Sequence, residues 1–316
     1  MAKLKWLSAR LPEPEYLSTP SFGVNRALGG RGIREGGIHT IWGAKTSGKS
    51  TWCLYLIAQA QREGKVCAYV DAEKTFSSSW AQKCGVDVDA LLLARANSAE
   101  DLLDLIIPDL ASGKIDLLIF DSIQSTNFDS FFDKPASSGG MGSYARSSKL
   151  VTHKILNALQ PNQHVVFISH AAMDLSGTYP VLKAAIGNSI EHWSSTIIKL
   201  TKKMGKDSIR ESDKAHTVKW KIEKSKQSEY PIEGEFYFTS STAQIDVIDE
   251  IVTAAIDEGL ISGGGWPTYR KGEDDARQWR SKAALVEALK GEEADFLEQL
   301  KKELNEIAVH AQEDEE

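Results

Sequence analysis

Residues 43–51 read Gly43-Ala44-Lys45-Thr46-Ser47-Gly48-Lys49-Ser50-Thr51, a pair of glycines five positions apart followed by a lysine and hydroxyl residues. Glycines at those positions let successive backbone N–H groups curl around an anion, and a helix starting at Lys49 adds the positive end of its dipole. Lys49 is then placed to reach β- and γ-phosphates, and the Ser50 hydroxyl to ligate Mg²⁺. The chemistry this spacing predicts is binding of ATP or a close relative, together with its hydrolysis. The plainer alternative is a Gly-rich strand–helix turn. Context favours the phosphate loop, because the apolar run Ile38–Trp42 precedes it and a helical pattern from about Lys49 to Glu63 follows.

Other side chains fall at the ends of apolar runs. Asp121 closes Leu117-Leu118-Ile119-Phe120, where a carboxylate would hold Mg²⁺ through water; its alternative is a turn or cap aspartate. Glu73 follows the run Val66–Val70 and the pair Asp71-Ala72. At the carboxyl edge of a sheet it would orient a water toward a γ-phosphate, and otherwise it is a surface carboxylate. His170 ends Val165–Ser169 at the same edge, as a phosphate contact or as an ordinary structural histidine. Trp80, in the segment after Glu73, is placed to stack on an adenine ring or to fill the core.

These positions need a scaffold that brings strand ends together. Short apolar runs at 38–42, 66–70, 91–94, 116–120 and 165–169 alternate with helical patterns at 49–63, 79–84, 99–112 and 145–159. Strands that are apolar throughout and alternate with helices predict an α/β fold with a mostly parallel central sheet. Residues 128–143 read as a Gly/Ser-rich loop and 171–187 as an irregular stretch. Thr196–Thr201, Thr217–Ile222 and Gly234–Thr239 read as antiparallel strands that extend the sheet, followed by a helix over Ile248–Gly259. Gly263-Gly264-Gly265 marks a boundary before a small, α-rich C-terminal domain, and Pro12, Pro14 and Pro20 mark a short N-terminal arm.

The bulk composition is that of a globular protein, with 41% hydrophobic and 26% charged residues in 316. There is no apolar run of the length a membrane span requires and no apolar leader after Met1, which predicts a cytoplasmic protein without membrane association. Cys53, Cys67 and Cys84 lack metal-ligand spacing and are expected as reduced core residues. The net charge of −7 is unevenly spread: residues 292–316 hold ten acids against two lysines, leaving about +1 for the rest. Residues 199–226 carry ten Lys/Arg against four acids. A basic stretch with an acidic tail is compatible with nucleic-acid binding, although a solvated hairpin and a plain charged end explain it as well.

Taken in order, the residues resemble the RecA recombinase family over nearly the whole chain after the arm. The resemblance is carried by Ser18-Thr19-Pro20-Ser21 leading to Ala27-Leu28-Gly29, the loop 43–51, Ala58–Lys65, Val70-Asp71-Ala72-Glu73 and Leu118–Ser122. It continues through Met141-Gly142 with Ala145-Arg146, Gly187-Asn188 and Lys224-Ser225-Lys226. The resemblance implies a RecA-like P-loop NTPase core at 21–265, an N-terminal arm at 1–20 that contacts a neighbouring protomer, a C-terminal domain at 266–310 and an acidic tail at 311–316. It makes Glu73 the catalytic glutamate, Trp80 the adenine-stacking aromatic and His170 the γ-phosphate sensor. The family's bacterial members usually carry glutamine at that last position, and histidine is more similar to phage recombinases of the UvsX type. Lys224 and Lys226 match lysines that reach the ATP of the next subunit in a filament.

By the same resemblance, Met141, Gly142 and Arg146 belong to a first DNA-binding loop (about 128–144) and the helix after it. Leu175, Lys183, Gly187 and Asn188 belong to a second (171–187). The implied activity is DNA-dependent ATP hydrolysis with Mg²⁺ by a helical homo-oligomer that pairs single-stranded DNA with homologous duplex. Loader or single-strand-binding proteins are the implied accessory partners, and the cytoplasm would be a host's if the source is viral. Two departures stand out: the arm is short for the family, and the second loop sets Asp174 against the lone Lys183. They leave an alternative, a RecA-fold ATPase that regulates or assembles protein partners without strand exchange.

Overall fold

The computed structural model describes residues 13–313 apart from 97, 126–141, 175–178, 204–208, 211–214, 228–231, 240–242 and 271–275. β1 (Tyr16–Leu17) pairs with β2 (Ile33–Arg34) around the short helix α1 (Phe22–Ala27). β3 (Gly37–Gly43), α2 (Lys49–Arg62), β4 (Cys67–Asp71), α3 (Ser78–Lys83), β5 (Leu92–Ala94), α4 (Ala99–Ala111) and β6 (Leu117–Asp121) follow. A 3-10 turn, Ile123–Ser125, leaves β6. Then come α5 (Gly142–Ala158), β7 (His164–Asp174), β8 (Val181–Ala184), α6 (Asn188–Trp193), β9 (Ser194–Lys202), β10 (Ile209–Arg210), β11 (Ala215–Ser225), β12 (Ile232–Thr239) and β13 (Gln244–Ile245). The C-terminal part holds α7 (Val247–Asp257), β14 (Ile261–Ser262), β15 (Thr268–Tyr269), β16 (Arg277–Gln278), α8 (Lys282–Lys290) and α9 (Ala294–Glu313).

The main sheet runs β13-β12-β11-β9-β3-β7-β6-β4-β5, parallel from β9 to β5 and antiparallel from β9 to β13. Both of its faces are covered, which is why its strands are apolar at consecutive positions. Leu117 and Ile119 pack in one core with Trp52, Leu56 and Ile57 of α2. Leu118 and Phe120, one residue out of phase, pack in the other with Leu102 and Ile106 of α4 and Val151 and Ile155 of α5. Removing one such side chain, as in Leu118→Ala, costs about 2–5 kcal/mol. All of Cys53, Cys67 and Cys84 are buried and free. No helix among the described residues is long and apolar enough to cross a membrane.

Two details differ from the expectations. The stretch expected to be irregular from 171 is ordered at both ends: β7 runs on through Asp174 and returns as β8, pairing Ala171 with Ala184 and Asp174 with Val181. Met173, Val181 and Leu182 on this hairpin are exposed, so it carries no burial pattern to reveal it. The segment 196–201 is not purely antiparallel, because β9 is parallel to β3 on one side and antiparallel to β11 on the other. Gly263–Gly265 lies in the turn between β14 and β15. The third core starts earlier and joins Ile251, Val252 and Ala255 of α7 to Leu285, Leu289, Leu300 and Leu304, with Phe22 of α1 docked against them. Glu250 ties these parts together, accepting from Ser21 Oγ at 2.6 Å and from the Phe22 amide at 3.0 Å.

Candidate active site at the carboxyl edge of the sheet

Register brings the sequence-identified positions to one edge. Gly43 pairs with His170 across β3 and β7, and Asp71 pairs with Asp121 across β4 and β6. The loop from Gly43 to Lys49 passes close to β9: a Cβ at Gly43 would sit 2.1 Å from the Leu200 carbonyl oxygen and 2.7 Å from Ser47 Oγ. Gly48 takes φ 91°, the left-handed region that favours glycine, and hands the chain to α2. Ala44, Lys45 and Thr46 form an exposed crest over the helix N-terminus.

Lys49 is buried, and its Nζ donates to the Gly43 and Ala44 carbonyls, each at 3.0 Å. Burial holds its pKa below the usual lysine value against the opposing charges of Asp121 and Glu73. Ser47 Oγ is buried and has no hydrogen-bond partner. An ammonium resting on neutral carbonyls, an unpartnered hydroxyl and a helix N-terminus together suit the phosphates of a nucleotide.

Ser50 Oγ donates to Asp121 Oδ2 at 2.7 Å, and Tyr69 Oη donates to the same oxygen at 2.5 Å. Burial, and the negative charge of Glu73, raise the Asp121 pKa against those two hydroxyl donors. A hydroxyl beside a carboxylate is a hard-oxygen pair that suits Mg²⁺, which takes few protein ligands and completes its shell with water and phosphate. The described residues contain no group of three or more His, Cys, Asp or Glu able to hold a metal on their own.

Glu73 stands beyond the end of β4, where Asp71 shapes the turn by accepting from the Thr75 and Phe76 amides at 3.0 Å and pairing with Arg95 at 2.6 Å. Its Oε1 meets Ser122 Oγ at 2.7 Å, Ser125 Oγ at 3.3 Å and His170 Nε2 at 2.5 Å. Partial burial raises its pKa, but the hydrogen bonds from Ser122 and His170 outweigh that and leave it below the ordinary glutamate value. A carboxylate held ionised here is able to accept a proton from, or orient, a water. Trp80 packs against the core beside α2 and donates through Nε1 to Thr51 Oγ1 at 3.1 Å, which puts its indole next to the phosphate-loop helix.

Lys224 and Lys226 do not join this site within one chain. Lys224 pairs with Ile197 and Ser225 with Thr196, whose own partners are Thr40 and His39 toward the start of β3, so the lysines lie toward the opposite edge. Lys224 Nζ donates to the Glu191 and His192 carbonyls at the end of α6, at 2.7 and 2.9 Å, while Lys226 is exposed. Burial and the neighbouring Lys226 lower the Lys224 pKa. Of the expected DNA-binding residues, Met141 and Leu175 lie outside the described residues, and Gly142 and Arg146 fall in the first turns of α5. Lys183 is exposed on β8, and Gly187 caps α6 just before Asn188.

Sequence reasoning passed over Tyr69, Ser122, Gln124 and Ser125. Tyr69 sits inside an apolar run and reads as core. The other three sit in a turn where polar residues are ordinary, so only their position next to Asp121 offered a clue.

A parallel α/β sheet with a phosphate loop after β3 and acidic residues closing the neighbouring strands defines a P-loop nucleotide-binding protein. The model of the RecA N-terminal domain matches residues 7–238, and the chain belongs to the RecA family. That membership gives it a recombinase or ATPase kind of function, in a family that generally binds ATP with Mg²⁺, binds DNA and oligomerises.

Proposed function

We propose that this protein is a DNA-dependent ATPase that polymerises on single-stranded DNA and pairs it with homologous duplex. The observation that carries the reading is the 2.5 Å contact between Glu73 and His170, because His170 lies on the same strand, β7, that continues outward as the hairpin. A change at the phosphate end of the site is thereby transmitted along one strand to the second DNA loop.

In this reading the backbone N–H groups of residues 44–50 and the ammonium of Lys49 hold the phosphates, and Ser50 and Asp121 hold Mg²⁺. Bound ATP with Mg²⁺ supplies the scissile phosphoanhydride and a compact positive charge beside it. Glu73 orients and deprotonates water, Trp80 stacks on the base, and His170 exchanges its contact with Glu73 for one with the γ-phosphate. Lys224 and Lys226, held toward the far edge of one chain, complete the pocket of the next, so that hydrolysis depends on assembly. A head-to-tail contact of this kind is heterologous and builds an open helix when its rotation does not close into a ring.

The DNA would lie on the loop and helix containing Met141, Gly142 and Arg146, and on the second loop with Leu175, Lys183, Gly187 and Asn188. The hairpin offers little positive charge but exposes Met173, Tyr179, Val181 and Leu182. Apolar and aromatic side chains hold unstacked bases with little dependence on sequence. Residues 1–20 serve as the protomer contact in this proposal, and 21–265, 266–310 and 311–316 as the ATPase core, C-terminal domain and acidic tail.

The test is electron microscopy of the protein with single-stranded DNA and ATP, alongside the ATPase rate with and without that DNA. The proposal expects filaments and stimulated hydrolysis. Neither filaments nor stimulation would leave the alternative, an ATPase acting on protein partners.

A further inference from the structure

The 3-10 turn Ile123–Ser125 follows Asp121 and Ser122 directly and touches the site at two places. Ser122 Oγ and Ser125 Oγ lie 3.1 Å apart, and both reach Glu73 Oε1. Between them in the chain, Gln124 Nε2 donates to Ser169 Oγ and to the Ala185 carbonyl, each at 2.6 Å. Ser169 Oγ donates to the His170 carbonyl at 3.0 Å, and the Ala185 amide donates to the same carbonyl at 2.8 Å. The Gln124 side chain therefore bridges β7 and the residue that follows β8 at the foot of the hairpin, two residues before Ala171 and one after Ala184 of the first rung. Its Oε1 is buried without a partner, so the anchoring is done by the amide nitrogen.

We propose that Gln124 is a positioning residue that couples the β7–β8 hairpin to Glu73. The turn is short, and its ends are held at Asp121 by the strand and at Ser122 and Ser125 by the carboxylate. A shift of the hairpin foot therefore moves the hydroxyls that seat Glu73. This linkage runs beside the direct His170–Glu73 contact and does not need the γ-phosphate to operate. A shift of the hairpin on binding DNA then seats the carboxylate for hydrolysis. The inference rests on the reading of Glu73 as the water-orienting group and of the hairpin as the second DNA loop.

The experiment uses the full chain with the variant Gln124→Met, which keeps side-chain length and removes both donors. Steady-state ATP hydrolysis is measured across ATP concentration, with and without a single-stranded oligonucleotide. Loss of two neutral hydrogen bonds is expected to reduce the DNA stimulation factor about tenfold, with KM for ATP within about twofold of wild type. Simple destabilisation would remove active molecules equally in both conditions and leave that ratio unchanged. Should Gln124→Met fail to fold, Ser169→Ala removes one of the two acceptors, and a reduced stimulation factor is again expected.

A stimulation factor equal to wild type in the folded variant overturns this inference alone. A wild-type chain with no response to DNA overturns the functional reading and this inference together.

Discussion

The two edges of the parallel sheet are built from the same strands, and both bury polar side chains, but they leave them in different states. At the carboxyl edge Glu73, Asp121 and Lys49 carry opposing charges, each in contact with hydroxyls, an imidazole or backbone carbonyls that a ligand can displace. At the amino edge the polar groups are neutral and sealed. Gln163 Nε2 donates to the Leu110 and Ile115 carbonyls at 2.8 and 2.6 Å, and His39 Nε2 meets the Arg34 carbonyl at 2.9 Å. Both ring nitrogens of His164 are buried without a partner. An unpartnered polar atom is thus found at both edges, as Ser47 Oγ and as His164. What separates a site from a structural compromise is the neighbouring charge and an exposed crest beside it, not unsatisfied polarity alone.

The largest expected effect that sharpens this contrast is at the carboxyl edge. Lys49→Ala removes the charge-assisted contact to phosphate and should weaken binding of a fluorescent ATP analogue about 100-fold. Wild-type affinity in that variant would break the assignment of the loop.

At the amino edge the expected effect is on stability and its pH dependence. Burial holds the pKa of His39 at about 4 and, together with His39, that of His164 at about 3. Both folded values lie below the unfolded one, so the unfolded chain takes up protons first. Stability is therefore full above pH 6.5 and falls as pH drops toward 4. For each histidine the loss is roughly 2–4 kcal/mol by that linkage. His164→Leu should flatten the fall in melting temperature between about pH 7 and 4.5 while leaving hydrolysis at neutral pH intact. An unaltered slope would contradict the claim that this histidine is a buried neutral group.

How far these edges could be seen beforehand depended on what each residue leaves in the pattern. The strand–loop–helix arrangement around Gly43–Ser50 was legible because Gly43, Gly48, Lys49 and Ser50 combine a fixed spacing with an apolar run before and a helical pattern after. The parallel sheet was legible because strands covered on both faces are apolar at successive positions, as at Leu117–Phe120. The hairpin was not, since its ladder rests on backbone hydrogen bonds while Met173, Val181 and Leu182 stay exposed. The two-sided pairing of β9 was hidden for another reason: the polarity of a strand's neighbour leaves no trace in its own residues. The clamp on Glu73 escaped because Ser122, Gln124 and Ser125 are ordinary turn residues until β4, β6 and β7 are laid side by side.

A smaller effect joins the two edges. If Lys226 of one subunit completes the pocket formed by Lys49 of the next, mixtures of Lys226→Ala and Lys49→Ala protein should depart from the average of the separate rates. The shift should be about severalfold at equal ratio, as for a residue supplied in trans. A simple average across all ratios would confine both lysines to a single chain. The smallest effect lies outside the sheet. Deleting 311–316, with its four acids, should tighten duplex DNA binding about twofold to fivefold at low Mg²⁺ and less at high Mg²⁺. Equal binding across Mg²⁺ concentrations would remove the tail from the account.

The central claim is that the carboxyl edge is a hydrolytic site centred on Glu73. Its most direct test is the steady-state ATPase rate of wild type and Glu73→Gln, each with and without single-stranded DNA, beside the affinity for an ATP analogue. The account predicts a kcat about 10²–10⁴ lower in the variant under both conditions, with nucleotide affinity preserved. Wild-type turnover in Glu73→Gln would contradict it.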